Sequence, residues 1–216
     1  MTGLCFSTLS STRRLPIRGY GRRSASIDVA SSHERLMGAT RDLSIATLDP
    51  LHDRKSFTCG TESLDRYLKT QASQDQRRKA NGVFVMTAHE APERVLGFYT
   101  LCATALSQGE VPESAKKLVP RYPLVSATLI GRLAVATERQ GKGLGGILLT
   151  DALRRAYASA GTVGSSMIVV DALDERAIAF YLAHGFVRLP DSLKLVLPMS
   201  SIAGLTTSSA ADRRDG

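Results

Sequence analysis

The chain has 216 residues, a formal net charge of +8 and a hydrophobic fraction of 43%. This length suits one domain of about 150–200 residues with tails, and the hydrophobic fraction excludes a wholly disordered protein. No apolar run approaches the roughly 18–20 residues that span a bilayer, which excludes a membrane protein. Cys5, Cys59 and Cys102 form no C-x-x-C pair. A disulfide framework is therefore not expected, and a reducing, cytoplasmic location is.

The two ends of the chain differ in composition from its middle. Residues 1–27 contain five Arg, many Ser and Thr and no acidic residue, a composition shared by disordered tails and organellar transit peptides. Met37 adds a third interpretation, in which the start codon is misplaced and translation begins there. We predict a disordered or misassigned extension over residues 1–42, a folded domain over 43–200 and a flexible tail over 201–216.

The middle of the chain alternates between strand and helix patterns. In chain order these are a strand at 43–48, a helix that Thr61 can cap, strands at 82–87 and 95–105, a short helical or irregular piece at 111–119, a strand at 128–135, a helix at 143–158, a strand at 167–171, a helix at 174–184, and strands at 186–189 and 193–198. This order predicts an α+β domain with an α/β-type mixed sheet. The wholly apolar strand at 167–171 is expected to be buried on both faces.

A glycine-rich loop joins the strand at 128–135 to the helix at 143–158. Gly141, Gly143, Gly145 and Gly146 leave the backbone open to a ligand. The first turn of a helix has N–H groups without partners and a partial positive charge, so it suits a pyrophosphate. A plain glycine-rich helix cap has the same pattern, so from these residues alone both interpretations stay open. The Walker A pattern is absent, and the context does not fit a dinucleotide-binding G-x-G-x-x-G.

A second group of residues surrounds the helix at 174–184. Asp171 ends the buried strand before it, and Phe180 and Tyr181 lie late on the helix, with Tyr181 on the face of Ala177. A phenol with a pKa of about 10 can protonate a thiolate whose conjugate acid has a pKa of about 8.5. Aromatic residues at helical spacing also commonly fill a core, so both roles stay open for Tyr181.

Two motifs carry a family resemblance. The stretch Q-x-x-G-x-G at residues 140–145 resembles the acetyl-CoA signature of the GNAT acetyltransferases, and A-x-x-F-Y-x-x-x-G-F at 177–186 resembles the motif that follows it. The resemblance covers about residues 43–198 and implies the GNAT fold, acetyl-CoA as co-substrate and Tyr181 as general acid. The residues it implies in cofactor binding are Leu133, Ala134, Val135, Gln140, Gly141, Lys142, Gly143, Leu144, Gly145, Gly146, Asp171, Ala177 and Phe180.

Further motifs narrow the resemblance to one branch of the family. F-T-C-G at 57–60, L-D-R-Y-L at 64–68, P-R-Y-P at 120–123 and G-R-L-A-V at 131–135 resemble the TacT-like toxins of type II toxin–antitoxin systems. This implies acetylation of the α-amine of aminoacyl-tRNA by direct transfer in a ternary complex, which blocks translation. It also implies a cognate antitoxin of ribbon-helix-helix type and a homodimer.

A tRNA substrate requires basic side chains, because phosphate contacts dominate nucleic-acid affinity. The candidates are Arg77, Arg78, Lys79, Lys116, Lys117, Arg121 and Arg132. Charge runs are also commonly solvated surfaces, and we expect this for Arg154 and Arg155, opposite the apolar face of their helix. No metal site is expected, since the four histidines share no ligand spacing. Two alternatives stay open, a GNAT enzyme for a small amine or protein N-terminus and a non-catalytic module that binds CoA or nucleic acid.

Overall fold

The computed structural model describes residues 42–202. Most of the predicted N-terminal extension and C-terminal tail lies outside these residues. The described chain continues through Ile202, whose fully buried side chain joins the core two residues past the predicted domain boundary.

Seven strands and five α-helices lie within residues 42–202. The strands are β1 (Leu43–Thr47), β2 (Gly82–Ala88), β3 (Gly97–Ser107), β4 (Leu124–Val135), β5 (Met167–Asp171), β6 (Val187–Arg188) and β7 (Lys194–Pro198). The helices are α1 (Glu62–Thr70), α2 (Ala72–Arg77), α3 (Glu113–Lys116), α4 (Leu144–Val163) and α5 (Glu175–Ala183). The predicted order of elements is confirmed, except that the single helix predicted after Thr61 is divided at Gln71 into α1 and α2.

The strands form one mixed sheet in the order β1-β2-β3-β4-β5-β7-β6. Neighbouring strands are antiparallel except β4 and β5, which pair in parallel. Alternate residues of the strands face opposite layers of helices. Phe98 packs in a cluster with residues of α1, whereas Tyr99 packs in the larger cluster with residues of α4 and α5. The predicted α+β architecture with a mixed sheet is confirmed.

Two elements are longer than predicted. β4 begins four residues before the predicted start, because Leu124–Ser126 pair with the far end of β3 although Leu124 is exposed. α4 continues five residues past the predicted end and stops where Gly164 adopts a φ of +68°. The local periodicity on which the prediction rests contains no information about pairing with a distant strand. It also does not show where a residue adopts a left-handed conformation.

The strands β4 and β5 separate part-way along the sheet, and the candidate site lies where they separate. The two strands pair only over Ala127–Ile130 and Met167–Val170. At that point β4 contains a bulge, since Thr100 faces Arg132 and Leu101 faces Ile130, which leaves Gly131 without a counterpart. Beyond the bulge β4 pairs with β3 alone, so its other edge presents unpaired backbone groups to a cleft.

Within residues 42–202, no helix combines the length and the apolar character that crossing a membrane requires.

Candidate active site

A cleft of about 660 Å³ lies between the end of β4, the glycine-rich loop, α5 and the segment that precedes α1. It brings together most of the residues predicted to bind the cofactor. Those that line it are Leu133, Ala134, Val135, Gln140, Gly141, Gly143, Leu144, Gly145, Gly146, Ala177 and Phe180. Lys142 lies within the loop and is exposed, and Asp171 lines a second, smaller cavity.

The loop at the start of α4 is open to a ligand. Gly141 and Gly143 have φ values of +74° and +79°, and a side chain added at either would meet no atom within 4 Å. Gly143 occupies the N-cap position without a side chain to accept from the helix, and its carbonyl accepts from Gly146 and Ile147 further along. Among residues 42–202, no hydrogen-bond partner is found for the N–H groups of Leu144 and Gly145 at the start of the helix, which fits the pyrophosphate of CoA.

The side chain of Gln140 stabilises one side of the cleft. Its amide nitrogen Nε2 donates to the carbonyl of Val135 at 3.0 Å and to the carbonyl of Cys59 at 2.8 Å. The side chain thus ties the end of β4 to the segment before α1. In this structure the glutamine of the Q-x-x-G-x-G pattern therefore forms hydrogen bonds within the chain, between two segments that line the cleft.

Gly145 allows α4 and α5 to approach each other at the floor of the cleft. A side chain added there would lie 3.6 Å from the ring of Phe180. That ring also packs against Tyr181 and His184, with centroid separations of 5.1 and 4.5 Å. His184 ends α5, as the sequence predicts for this position. Phe180 therefore shapes the cleft and packs in the core at the same time.

Tyr181 lies where the cleft meets a second cavity. The residue is 7% exposed, and burial raises the pKa of its phenol to about 12. Among residues 42–202 no group forms a hydrogen bond with its hydroxyl. The phenol is therefore neutral at ordinary pH and carries a proton that it can donate.

The second cavity is smaller, about 70 Å³, and lies beyond Tyr181 at the open end of the sheet. It contains the two charged residues Arg132 and Asp171. The guanidinium of Arg132 is stacked 3.6 Å above the ring of Tyr67, which fixes its position at the edge of the cavity. Both cavities share the residues Leu64, Leu133, Leu173, Ala177 and Tyr181.

The remaining basic candidates lie apart from this site. Arg77, Arg78 and Lys79 are exposed at the end of α2, and Lys117 and Arg121 are exposed before β4. Lys116 is half-buried and pairs with Glu113. The start of β4 lies up to about 27 Å along the strand from Arg132. Of the predicted basic positions, the structure places Arg132 beside the cavities.

One prediction about the basic residues is wrong. Arg155 is only partly solvated, because its Nε donates to Asp151 at 2.8 Å and its Nη2 donates to the carbonyl of Ile45 at 3.1 Å. The hydroxyl of Tyr99 donates to the same carboxylate at 2.6 Å. These contacts tie β1, β3 and α4 together behind the cofactor loop. Arg154, its neighbour, is exposed as predicted.

The predicted cap of α1 is also corrected. Thr61 occupies the N-cap position, but its side chain forms no capping hydrogen bond. The carboxylate of Asp65 instead accepts from the N–H of Cys59 at 2.8 Å and from the hydroxyl of Thr58 at 2.8 Å. Sequence reasoning had assigned no role to Asp65, although it belongs to the L-D-R-Y-L motif and holds the cleft segment in place.

The family profile described as an acetyltransferase (GNAT) domain matches residues 79–188. A probable toxin TacT of Sinorhizobium fredii is 32% identical over 170 residues, which cover 74% of this chain and 93% of that protein. A tRNA-acetylating toxin of Mycobacterium tuberculosis is 36% identical over 154 residues, 71% of this chain and 90% of that protein. The solved structure of AtaT complexed with acetyl-methionyl-tRNAfMet is 31% identical, with a TM-score of 0.70, and covers 76% of this chain and 99% of its own. The chain therefore belongs to the GNAT family and is an acetyltransferase.

Proposed function

We propose that this protein is the toxin of a type II toxin–antitoxin system that acetylates the α-amine of aminoacyl-tRNA and thereby blocks translation. The observation that carries this proposal is the junction of two cavities at Tyr181. One cavity has an open helix N-terminus suited to CoA, and the other has a fixed arginine at its edge. The relative from M. tuberculosis is named a tRNA-acetylating toxin, and AtaT has been solved with acetyl-methionyl-tRNAfMet.

The cofactor side of the reaction follows from the larger cleft. The N–H groups of the loop and of the first turn of α4 would bind the pyrophosphate of acetyl-CoA. The free edge of β4 at Leu133–Val135 would hold the pantetheine and acetyl parts. A backbone N–H of this edge would polarise the thioester carbonyl and stabilise the charge that develops on its oxygen. Solved structures of AtaT contain acetyl-CoA, which supports this assignment.

The transfer itself is proposed to be direct, with both substrates bound together. Holding the amine against the thioester supplies much of the rate, since oriented reactions gain roughly 7–11 kcal/mol. The amine nitrogen attacks the carbonyl carbon, and the C–S bond breaks. Tyr181 then gives its proton to the departing sulfur. Burial raises the pKa of this phenol, which makes it a weaker acid, so the proton moves only as negative charge develops on the sulfur.

The acceptor side is proposed to use Arg132 as its nearest phosphate-binding group. Stacking on Tyr67 holds the guanidinium in place beside the smaller cavity, so little side-chain entropy is lost when a phosphate binds. The exposed groups at Arg77–Lys79 and Lys116–Arg121 would contact more distant parts of a tRNA. Their separation from Arg132 suits a partner that is much larger than a small amine.

The proposed partners follow from the same relatives. AtaT has been solved bound to the C-terminus of the antitoxin AtaR, and we propose a cognate antitoxin of ribbon-helix-helix type and a homodimer for this chain. The reaction would take place in the cytoplasm, where charged tRNA and acetyl-CoA occur together.

The experiment that tests the function combines labelled acetyl-CoA with a pool of charged tRNAs. We expect label on the aminoacyl group, and Tyr181→Phe should lower kcat by about 10²–10⁴-fold because it removes the general acid. Tyr157→Phe is the matched control, since that tyrosine is exposed on α4, and it should retain full turnover.

Three outcomes separate the parts of the proposal. Full turnover by a folded Tyr181→Phe protein would refute the acid role alone. Transfer to small amines or protein N-termini but not to charged tRNA would refute the toxin role and favour the first alternative. Binding of acetyl-CoA with no transfer to any amine would refute the proposed reaction as a whole.

A further inference from the structure

The smaller cavity contains a carboxylate for which the reaction so far has no use. Asp171 is the last residue of β5, is exposed to solvent and lines this cavity. None of the ion pairs formed within residues 42–202 involves it. Its carboxylate is therefore accessible to a ligand that enters the cavity from solvent.

The position of Asp171 follows from where the sheet opens. β4 and β5 stop pairing at Ile130 and Val170, so Asp171 is the first residue of β5 beyond the last pair. It lines the smaller cavity together with Tyr181 and Leu133, which also line the cofactor cleft. Asp171 itself does not line the cofactor cleft. The family resemblance groups Asp171 with the cofactor residues, but the structure places it in the smaller cavity, on the other side of Tyr181 and Leu133 from the loop at the start of α4.

The charges around Asp171 leave room for a cationic ligand. Arg132 reaches the same cavity from β4, and Lys194 faces Asp171 across the β5–β7 pair. Neither forms an ion pair with Asp171. Arg132 is instead held over the ring of Tyr67. A ligand with an ammonium group and an anionic group would therefore find a group of opposite charge for each of them, Asp171 and Arg132, around one cavity.

We propose that Asp171 binds the α-ammonium group of the acceptor and takes the proton that its nitrogen loses during transfer. This rests on the proposed function, because the acceptor is an α-amine next to an ester. A charge-assisted hydrogen bond from the ammonium to the carboxylate orients the nitrogen toward the thioester. The amine first releases one proton to solvent to become a nucleophile.

The transfer moves two further protons, one from the nitrogen and one to the sulfur. The C–N bond forms and the nitrogen becomes positively charged, and Asp171 accepts its second proton. The C–S bond breaks and the sulfur receives a proton from Tyr181. Asp171 then returns its proton to solvent, which its exposure allows, and Tyr181 is reprotonated from solvent. The products are the acetylated amine and CoA with its free thiol.

The test compares Asp171→Asn, Asp171→Glu and the control Glu90→Gln. Asparagine keeps the shape and removes the charge, glutamate restores the charge on a longer side chain, and Glu90 is an exposed loop residue away from both cavities. We expect Asp171→Asn to lower kcat/KM for aminoacyl-tRNA by about 10–100-fold, since hydrogen bonds between charged groups are the strong class. Its Kd for acetyl-CoA and its Tm should stay unchanged, Asp171→Glu should recover part of the loss, and Glu90→Gln should match the wild type.

A second measurement separates recognition of the amine from a merely structural role. An α-hydroxyacyl-tRNA has the same shape but no charge at the α position. The wild-type protein should bind aminoacyl-tRNA more tightly than this analogue, and Asp171→Asn should bind the two equally. Equal binding by the wild type, or unchanged kcat/KM in Asp171→Asn, would overturn the inference while leaving the proposed function intact.

Failure of the proposed function would look different. If the wild type transfers no acetyl group to charged tRNA, the same variants are compared on amino acid methyl esters, which present the same α-amine and ester. A 10–100-fold loss with Asp171→Asn would then support the role of Asp171 on a different acceptor. No loss with these esters, or no transfer to them by the wild type, would overturn it.

Discussion

The helices α4 and α5 both begin at the cofactor cleft, but their first turns are satisfied in different ways. At α5, the side chain of Asp174 accepts a hydrogen bond from the N–H of Ala177 at 2.8 Å. At α4, Gly143 occupies the same position with a φ of +79° and has no side chain to offer. The two helix starts therefore differ in whether an internal group or a ligand satisfies the backbone.

This difference separates a stability element from a binding element within one cleft. An aspartate at the N-cap completes the helix and neutralises its partial positive charge. A glycine there leaves both the N–H groups and the charge available, which weakens the helix alone but suits an anion. The helix that could bind a phosphate is thus the one whose sequence omits a cap.

The largest expected effect comes from closing the open start of α4. Gly143→Val introduces a branched side chain at a positive φ, and the group projects into the space where the pyrophosphate would bind. We expect the Kd for acetyl-CoA to rise at least about 100-fold, because two or more hydrogen bonds to a charged group are lost. Isothermal titration with acetyl-CoA measures this change.

The matched control lies at the other end of the same helix. Gly164 also has a positive φ, +68°, and a side chain added there would meet no atom within 4 Å. Gly164→Val should cost similar backbone strain, about 1–2 kcal/mol of stability, and leave the Kd for acetyl-CoA unchanged. An equal rise in Kd for both variants would mean that Gly143 acts through helix stability and not through the ligand.

The sequence predicts the starts of α4 and α5 well because the information is local. The glycines, the Q-x-x-G-x-G pattern and the first residues of the helix lie within a few positions of one another along the chain. The same is true of Asp174, whose partner is three residues away. Local patterns of this kind predict a helix start and the residues that surround it.

Features that depend on distant residues were not predictable in the same way. The bulge at Gly131 depends on the register of β4 against β3, and this bulge places Arg132 beside the smaller cavity. Arg155 was expected to be solvated because its helical position faces away from α4's apolar side. It is held instead by the carbonyl of Ile45, 110 positions earlier in the chain.

The next smaller expected effect is the contribution of Tyr181, on α5, to the free energy of unfolding. Burial raises the pKa of Tyr181 to about 12 from the usual value near 10. Between about pH 10 and pH 12 the folded protein therefore retains this proton while the unfolded protein loses it. The contribution of Tyr181 to the free energy of unfolding is complete below about pH 10 and is lost as the pH rises toward 12. One such proton lowers the free energy of unfolding by about 1.4 kcal/mol per pH unit in that window.

This contribution is measured as a difference between two proteins. The pKa values of Tyr67 and Tyr99 are also raised by burial, so the wild type alone reports several groups. Urea unfolding of the wild type and of Tyr181→Phe from pH 9 to pH 11 isolates one of them. The variant should lose stability less steeply above pH 10, and parallel curves would show that the phenol is not held neutral by the fold.

The smallest expected effect comes from removing the N-cap of α5, and it tests how the start of α5 differs from the start of α4. Asp174→Ala removes the cap of α5 and should lower the free energy of unfolding by about 1 kcal/mol, because the N–H of Ala177 loses its partner. Asp174→Ser can still accept that hydrogen bond and should recover most of the loss. Urea unfolding gives both values, and the Kd for acetyl-CoA should change less than about threefold in either variant. If Asp174→Ala weakened acetyl-CoA binding as strongly as Gly143→Val does, the start of α5 would belong to the binding element as well, and its own cap would have to give way when the cofactor binds.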